Sequence, residues 1–214
     1  MITNILVIGS GISGLTYAIK VAEKNPELGI VMISKNNLLE SNTRYAQGGI
    51  AVVSNFKNDS FEKHISDTQI AGAGKCNEAV VRFVVEEGHD RVQELIEWGT
   101  HFDTNKNTLH LTKEGGHSEK RIIHNKDRTG LEIQLALIKK IKTFPNITLL
   151  ENHTLVDLIT DHHTGSDFKR CYGAYVISNT KQEIIKISAQ ITILSTGGAG
   201  QLFSHTTNPK NATG

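Results

Sequence analysis

Residues 4–35 read NILVIGSGISGLTYAIKVAEKNPELGIVMISK, and this stretch predicts the fold. The run at 4–9 is apolar without alternation, which is typical of a strand buried on both faces. The segment 13–25 repeats apolar residues at helical spacing, and its inner face consists of Leu15, Ala18, Ile19 and Ala22. A second buried strand is predicted at 29–35. A strand, a helix and a strand within roughly 30 residues form a βαβ unit, so the sequence predicts a parallel sheet.

The turn between the first strand and the helix reads GSGISG and consists of Gly9, Ser10, Gly11, Ile12, Ser13 and Gly14. In this G-x-G-x-x-G pattern Gly9 allows a tight turn, Gly11 lets a pyrophosphate touch the backbone, and Gly14 lets the helix pack on the strand. The helix N-terminus adds free N–H groups and a positive dipole. A glycine-rich turn without a ligand is the plain structural alternative. The position between a strand and a helix favours dinucleotide binding.

The end of the second strand departs from the nicotinamide-binding pattern. An Asp or Glu that binds a ribose is expected about 20 residues after the glycines. Ser34 and Lys35 occupy this place, and no carboxylate is present there. The Ser34 hydroxyl is able to hydrogen-bond a ribose, and Lys35 is suited to a phosphate or to the adenine. An NAD-dependent dehydrogenase is therefore disfavoured.

Three further helices are predicted in the middle of the chain. Asp59, with Glu62 three residues later, predicts the cap of a helix that runs to about Ile70. Asn77 predicts the cap of a second helix that ends near Gly99. The apolar stripe of this second helix is Val80, Val81, Val84 and Val85. The third helix covers 129–144, with its inward residues predicted as Leu131, Leu135, Ile138 and Ile141.

The last third of the chain predicts strands. Residues 146–152 predict a third parallel strand, and 190–200 predict a buried strand that runs into glycines. Between them, the three short runs at 154–160, 171–179 and 183–189 predict an antiparallel meander. The predicted fold class is α/β, a Rossmann-like parallel sheet with a β-meander on one face.

Composition excludes several classes of function. The net charge of +1 gives no broad field that favours nucleic acid or an anionic membrane, and no apolar run approaches the ~20 residues of a membrane span. Cys76 and Cys171 form no spacing motif, which favours a reduced, cytoplasmic setting. The ten histidines include the pair at 162–163 in a predicted turn, and no spacing of ligand residues indicates a metal site.

Six motifs occur in an order that resembles a known family. They are GSGISGL, the Ser-Lys pair that ends the second strand, NTRYAQGGIA, HLTKEGGHS, DRTG, and STGGAG followed by TTNP. Together they resemble the L-aspartate oxidase family, within the flavoprotein group that includes the succinate dehydrogenase and fumarate reductase flavoprotein subunits. The resemblance covers essentially all 214 residues. It implies an FAD-binding fold of the glutathione-reductase type, in which Ser or Thr followed by Lys commonly replaces the acidic residue.

The resemblance implies the residues that contact FAD. The loop after the second strand lies along the cofactor in this family, which carries over to Asn42, Thr43, Arg44, Tyr45, Ala46, Gln47, Gly48 and Gly49. The flat flavin ring needs close backbone contact, which glycine permits, and nearby N–H groups tune the flavin. Thr154 and Leu155 are implied at the adenine. Thr196, Gly197 and Gly198 are implied near the flavin and the pyrophosphate.

Two positions distinguish members of the flavoprotein group. Succinate dehydrogenase flavoproteins carry a histidine that bonds covalently to FAD, and the matching residue here is Asn42. Because an amide cannot form this bond, non-covalent FAD is expected. Glu114 in the EGGHS motif matches a glutamate that contacts the substrate near its amino group in aspartate oxidases, and the role of His117 stays open.

The implied reaction is oxidation of L-aspartate to iminoaspartate, with hydride transfer to the flavin and oxygen or fumarate as the electron acceptor. The product enters quinolinate and NAD biosynthesis, with quinolinate synthase as the implied partner. The chain is expected to be the N-terminal part of the FAD-binding domain, without the capping and C-terminal helical domains, so its fold is expected to be incomplete and the chain inactive. The alternatives are a fragment of a fumarate reductase or succinate dehydrogenase-like flavoprotein, and a non-catalytic nucleotide-binding module.

Overall fold

The computed structural model describes residues 1–106, 108–165 and 169–214, in two compact units. Unit 1 consists of Met1–Arg44 and Leu137–Gly214, and unit 2 consists of Tyr45–Ala136. In these described ranges the helices are α1 (Ile12–Lys24), α2 (Phe61–Ala71), α3 (Glu78–Glu97) and α4 (Thr129–Ile141). The strands are β1 (Ile2–Ile8), β2 (Ile30–Ser34), β3 (Ile50–Ala51), β4 (Thr104–Asn105), β5 (Thr108–Leu109), β6 (Ile122–Ile123), β7 (Ile147–Glu151), β8 (His153–Thr160), β9 (Cys171–Ser178) and β10 (Glu183–Leu194). None of the described helices is both long enough and apolar enough to cross a membrane.

Unit 1 contains a six-stranded sheet in the order β7-β2-β1-β10-β9-β8. The neighbours β7, β2, β1 and β10 are parallel, which confirms the predicted βαβ unit and the third parallel strand. The strands β8, β9 and β10 form the predicted antiparallel meander. The meander is continuous with the parallel sheet through β10 and packs on one face of it, because Ala174 and Val176 of β9 share a buried cluster with Val31 and Ile33 of β2, as predicted.

The meander and the last parallel strand share one element. The separate strands predicted at 183–189 and 190–200 are a single strand, β10, of 12 residues. Its first half pairs antiparallel with β9 and its second half pairs parallel with β1, and Ser188 belongs to both ladders. One continuous strand satisfies the backbone hydrogen bonds of both neighbours, so no break is needed between the two halves.

The core of unit 1 follows the predicted patterns. Residues Ile5–Ile8 of β1 and all five residues of β2 are buried, as expected for strands covered on both faces. The predicted inner face of α1 is fully buried. A further cluster joins the strands through Leu6, Ile8, Val31, Ile33, Ala174, Val176, Ile187 and Ala189. This packing fixes the carboxyl ends of β1, β2 and β10.

The caps in unit 2 agree with the prediction at one helix and differ at another. The Asn77 side chain accepts from the Val80 N–H and caps α3, and Gly99 has φ +100° just after the last turn, both as predicted. The cap of α2 is Ser60, which accepts from the Lys63 N–H, so the predicted cap at Asp59 is wrong. Asp59 instead forms a buried ion pair with Arg121.

Two predicted apolar faces are also corrected. In α3 only Val85 of the stripe is buried, whereas Val80 and Val84 are more than half exposed. In α4 Ile141 is buried as predicted, whereas the predicted inward residue Leu135 is 47% exposed. The buried face of α4 is Ile133, Ala136, Leu137 and Ile141. An amphipathic helix with apolar residues on more than one side leaves the choice of face to tertiary packing.

Candidate cofactor site

A cavity of about 610 Å³ lies in unit 1 at the carboxyl ends of the parallel strands. Ile8 of β1, Ser34 of β2 and Leu194 of β10 line it. From β1 the chain continues through α1 to β2 on one side, and β10 pairs on the other side. Such a topological switch point is where open α/β sheets bind ligands, and the volume falls in the usual range of about 300–1,000 Å³.

The glycine turn has the geometry that its spacing predicts. Gly9 has φ +111°, and a Cβ atom there would lie 2.2 Å from the carbonyl oxygen of Ser195. A Cβ atom at Gly14 would lie 2.1 Å from the Gly9 oxygen, so helix and turn are in close contact. Gly11 differs, because the nearest atom to its Cβ position is Thr43 Oγ1 at 3.6 Å. Gly9 and Gly14 are therefore required by packing, whereas Gly11 is free to face a ligand.

The N-terminus of α1 forms one wall of this cavity. Gly11 is the N-cap, and because glycine has no side chain it does not cap the first N–H groups of the helix. The Ile12 N–H donates to Thr43 Oγ1 at 3.0 Å, so one of the N–H groups without an intrahelical partner is occupied by the loop after β2. The rest of the first turn presents backbone N–H groups and the positive end of the dipole, which suit an anion.

The end of β2 also lines the cavity. The buried Ser34 hydroxyl lies 2.8 Å from the Ser10 hydroxyl, which joins this strand end to the glycine turn. Lys35 Nζ donates to the carbonyl oxygen of Asn211 at 2.8 Å and to Thr213 Oγ1 at 2.6 Å. The Lys35 ammonium therefore holds the segment 211–214 in the cavity wall.

The start of β8 closes the cavity on a third side. Thr154 and Leu155 both line it. The Thr154 hydroxyl donates to Asn179 Oδ1 at 3.1 Å, and Asn179 Nδ2 donates to the carbonyl oxygen of Lys35 at 2.8 Å. These bonds fix the start of β8 beside the end of β2.

The loop in unit 2 that contains Gly48 and Gly49 shows two different environments. A Cβ atom at Gly49 would lie 2.3 Å from the Ile123 carbonyl oxygen, because β3 pairs with β6 directly after the loop. The close approach at Gly49 is therefore to protein backbone. Among the described residues, none apart from the chain neighbours of Gly48 has a heavy atom within 4 Å of its Cβ position. Gly48 is the glycine of this pair that leaves room for a ligand.

The EGGH segment in unit 2 is a four-residue turn. The His117 N–H donates to the Glu114 carbonyl oxygen at 3.3 Å, and Gly116 has φ +83°. A positive φ at the third residue is typical of a type II β-turn. The Glu114 side chain at the start of this turn is exposed. The base of the surrounding loop is closed by two backbone hydrogen bonds between Thr112 and Ile122.

Unit 2 also contains a buried ion network, whose Arg121 contacts His117 of this turn. Arg121 has no exposed surface. Its Nε and Nη2 donate to the two Asp59 carboxylate oxygens at 2.8 and 2.7 Å, and its Nη1 donates to Asp67 Oδ2. Burial, and next the charge of Arg121, lower the pKa of the nearby His64. Sequence patterns did not indicate this network, since Arg121 lies more than 50 residues from both Asp59 and Asp67 along the chain.

The comparisons identify the family. A family model described as FAD binding domain matches residues 4–214. The chain belongs to this family of FAD-binding domains. FAD is accordingly its cofactor, as predicted from the sequence.

The chain is also similar to individual proteins and to solved structures of flavoproteins. The chain is 44% identical to L-aspartate oxidase 1 of Ralstonia nicotianae, over 99% of the chain and 39% of that protein. It is 44% identical to the chloroplastic L-aspartate oxidase 2-a of Nicotiana tabacum, over 97% of the chain and 32% of that protein. A structure of E. coli quinol fumarate reductase is 27% identical with a TM-score of 0.90, over 99% of the chain and 35% of that chain. The chain thus spans about two fifths or less of the length of these relatives.

The residues of the cavity fit FAD. Ser195 lines the cavity, and its buried hydroxyl has no hydrogen-bond partner among the described residues, which is unusual for a buried polar group and typical of a site completed by a ligand. The α1 N-terminus suits the pyrophosphate, and the Gly11 backbone is open to it. Glu40 also lines the cavity and supplies a carboxylate where the end of β2 has none.

The cavity brings together most of the cofactor residues that were predicted in unit 1. They are Gly9, Ser10, Gly11, Ile12, Ser13, Ser34, Lys35, Asn42, Thr43, Thr154, Leu155, Thr196 and Gly197. Gly14, Arg44 and Gly198 do not line it. The Arg44 guanidinium pairs with Glu40 at 3.1 Å. Tyr45, Ala46, Gln47, Gly48, Gly49 and Glu114 belong to unit 2, and their contacts with cofactor or substrate stay predictions.

Sequence reasoning missed several residues that line the cavity. Ser195 directly precedes the predicted Thr196, so the polar end of a buried strand was a usable signal. Asn36, Glu40, Asn211 and Thr213 also line the cavity. These residues lie in loops, so no periodic pattern or motif marks them in the sequence. Only the folded chain brings them to the ends of the strands.

The ion network predicts a specific acid sensitivity. Burial raises the pKa of Asp67, but hydrogen bonds from Ser118 and Arg121 outweigh this effect and lower that pKa to about 2. The stabilisation from ionised Asp67 is therefore complete above the unfolded pKa of about 4 and is lost as the pH falls through about 2. We expect Asp67→Asn to lower the urea midpoint at neutral pH and to flatten its fall between about pH 4 and 2. An unchanged slope in that range would contradict the assignment.

Proposed function

We propose that residues 1–214 form the FAD-binding part of an L-aspartate oxidase, which oxidises L-aspartate to iminoaspartate. The observation that carries this proposal is the similarity to L-aspartate oxidases over nearly the whole chain. The FAD cavity and the EGGH turn are consistent with it. Oxygen or fumarate is the proposed electron acceptor, and quinolinate synthase is the proposed partner that uses the product. The proposed location is the cytoplasm, in keeping with the two free cysteines, Cys76 and Cys171.

The residues of unit 1 bind and orient the cofactor in this proposal. The α1 N-terminus and the Gly11 backbone hold the pyrophosphate, and the ends of β2 and β8 hold the adenosine part. When bound, FAD supplies the acceptor for the hydride that leaves the substrate. Asn42 lines the same cavity and has no nucleophilic group, so the proposed attachment is non-covalent.

Glu114 is the proposed substrate contact of unit 2. A carboxylate beside the ammonium of L-aspartate forms a charge-assisted hydrogen bond, which is stronger than one between neutral groups. The turn presents this side chain in an exposed position, where a substrate is able to reach it. In this role Glu114 binds the amino end of the substrate and distinguishes an amino acid from succinate.

Glu114→Gln is expected to lower kcat/KM for L-aspartate by about 10- to 100-fold, since a hydrogen bond between charged groups is lost. The measurement is iminoaspartate formation with added FAD. It is made for the longest open reading frame that contains the 214-residue chain. Glu119→Gln is the matched control, because Glu119 lies in the same segment but pairs with Lys63 at 2.7 Å. Activity on L-aspartate that is insensitive to Glu114→Gln would contradict the assigned role.

The structural similarity to fumarate reductase supports a second candidate, a flavoprotein that acts on succinate or fumarate. Turnover of succinate, or reduction of fumarate with no aspartate oxidation, would favour that candidate. A chain that binds a nucleotide but retains no flavin would favour the non-catalytic nucleotide-binding module. These assays use the same protein preparations and separate the three possibilities directly.

A further inference from the structure

The strongest unassigned feature of unit 2 is the set of contacts that joins the buried Arg121 to the Glu114 turn. Buried ion networks cost desolvation free energy and often stabilise a protein no more than apolar residues would. A role in fixing one conformation is a known use of such networks. The direct contacts of Arg121 and Asp67 with the turn point to this use.

The first connection runs through His117. Arg121 Nη1 lies 3.2 Å from His117 Nδ1. Because arginine has only donors, Nδ1 must be the acceptor, and the proton of the neutral ring is then on Nε2. The backbone N–H of the same histidine donates to the Glu114 carbonyl oxygen at 3.3 Å. His117 is thus bonded at one end to the buried guanidinium and at the other to the backbone of Glu114.

The second connection runs through Asp67 and Ser118. Asp67 Oδ2, which accepts from Arg121, also accepts from the Ser118 N–H at 2.7 Å and from the Ser118 hydroxyl at 2.8 Å. Lys113 Nζ donates to the Ser118 carbonyl oxygen at 2.8 Å. The residue that follows the turn is therefore held by its N–H, its hydroxyl and its carbonyl group.

We infer that Arg121 is a positioning residue, which fixes the Glu114 turn through His117 and through Asp67 and Ser118. Glu114 itself makes the substrate contact, so this inference rests on the proposed function. The glycines at 115 and 116 leave the turn backbone free to adopt many conformations when unrestrained. The two connections remove this freedom and set the direction from which the carboxylate meets the substrate ammonium.

His117→Ala and His117→Asn test the inference without disturbing the Arg121 ion pairs. Alanine removes the acceptor, whereas the Asn Oδ1 oxygen replaces Nδ1 at a similar position. In the 214-residue chain we expect His117→Ala to speed hydrogen exchange of the turn amides by about tenfold, and His117→Asn to restore slow exchange. His89→Ala is the matched control, since it also removes one hydrogen bond of a half-buried histidine, to the Val53 carbonyl oxygen.

The kinetic test is a double-mutant cycle in the open reading frame that contains the chain. His117→Ala is expected to raise KM for L-aspartate about tenfold with little change in kcat, and to have no further effect in the Glu114→Gln background. A role in general stability would give additive effects in that background. Additive effects, or unchanged exchange in His117→Ala, would overturn the inference. If the wild-type protein shows no aspartate oxidation, the proposed function fails instead, and the exchange experiment still decides whether Arg121 fixes the turn.

Discussion

Replacing Arg121 by Met is expected to lower the free energy of unfolding by about 3–5 kcal/mol. Arg121 is completely buried, and it binds both oxygens of Asp59 and one oxygen of Asp67. Without the guanidinium, two carboxylates are left in the interior with no cation. They must then remain charged and unpaired, or bind protons at neutral pH, and both outcomes cost free energy.

The measurement is urea unfolding followed by tryptophan fluorescence. Trp98 is the single tryptophan of the chain, and it lies in unit 2 together with Arg121. Arg82→Met is the matched control, because Arg82 also contacts two carboxylates, those of Glu62 and Glu86, but at the surface. Surface ion pairs contribute little, so we expect the control to leave the midpoint nearly unchanged. Equal midpoint shifts for the two variants would contradict the prediction that the buried network stabilises the protein more than the surface pairs do.

Gly11→Ala is expected to weaken FAD binding by about 10- to 100-fold while leaving the fold intact. The cause is the position of the added methyl group. Gly11 lines the cavity, and in the described part of the chain the one atom near its Cβ position, apart from its chain neighbours, is Thr43 Oγ1 at 3.6 Å. The methyl group therefore fits the protein but occupies space at the helix N-terminus, where in the proposed site a pyrophosphate oxygen would approach the backbone N–H groups.

The affinity is measured by the quenching of FAD fluorescence on titration with protein, and the fold by circular dichroism. Gly88→Ala is the matched control, because this α3 glycine has an ordinary contact of 3.8 Å with Val52 at its Cβ position and lies outside the cavity. We expect Gly88→Ala to bind FAD like the wild type. Unaltered affinity in Gly11→Ala would mean that the pyrophosphate does not lie at the α1 N-terminus.

The parts of the fold that the sequence predicted are those set by neighbouring residues. The strand, glycine turn and helix between 4 and 25 follow from the apolar pattern and from the spacing of three glycines, all within one short stretch. The caps of α3 were predictable for the same reason, since Asn77 and Gly99 act on adjacent backbone groups. The cavity-lining residues near Gly11 and Ser34 were predicted from these local patterns.

The parts that the sequence did not predict depend on distant contacts. Asp59 and Ser60 are both capable caps for α2, and the Arg121 guanidinium, 62 residues later, takes the carboxylate. The Leu135 side of α4 is apolar enough to be buried, but packing selects the side with Leu137. Ser195 and Thr213 reach the cavity only because the sheet brings strand ends and the segment 211–214 together.

The most direct test of non-covalent FAD binding is a visible absorption spectrum of the purified 214-residue chain after addition of FAD and desalting, repeated after acid precipitation. We predict a flavin band that remains with the folded chain and then moves to the supernatant, because Asn42 offers no group for a covalent bond. A flavin band that stays with the precipitate would contradict non-covalent binding and favour the succinate dehydrogenase type. A chain that retains no flavin at all would contradict the assignment of the cavity in unit 1 as a competent FAD site.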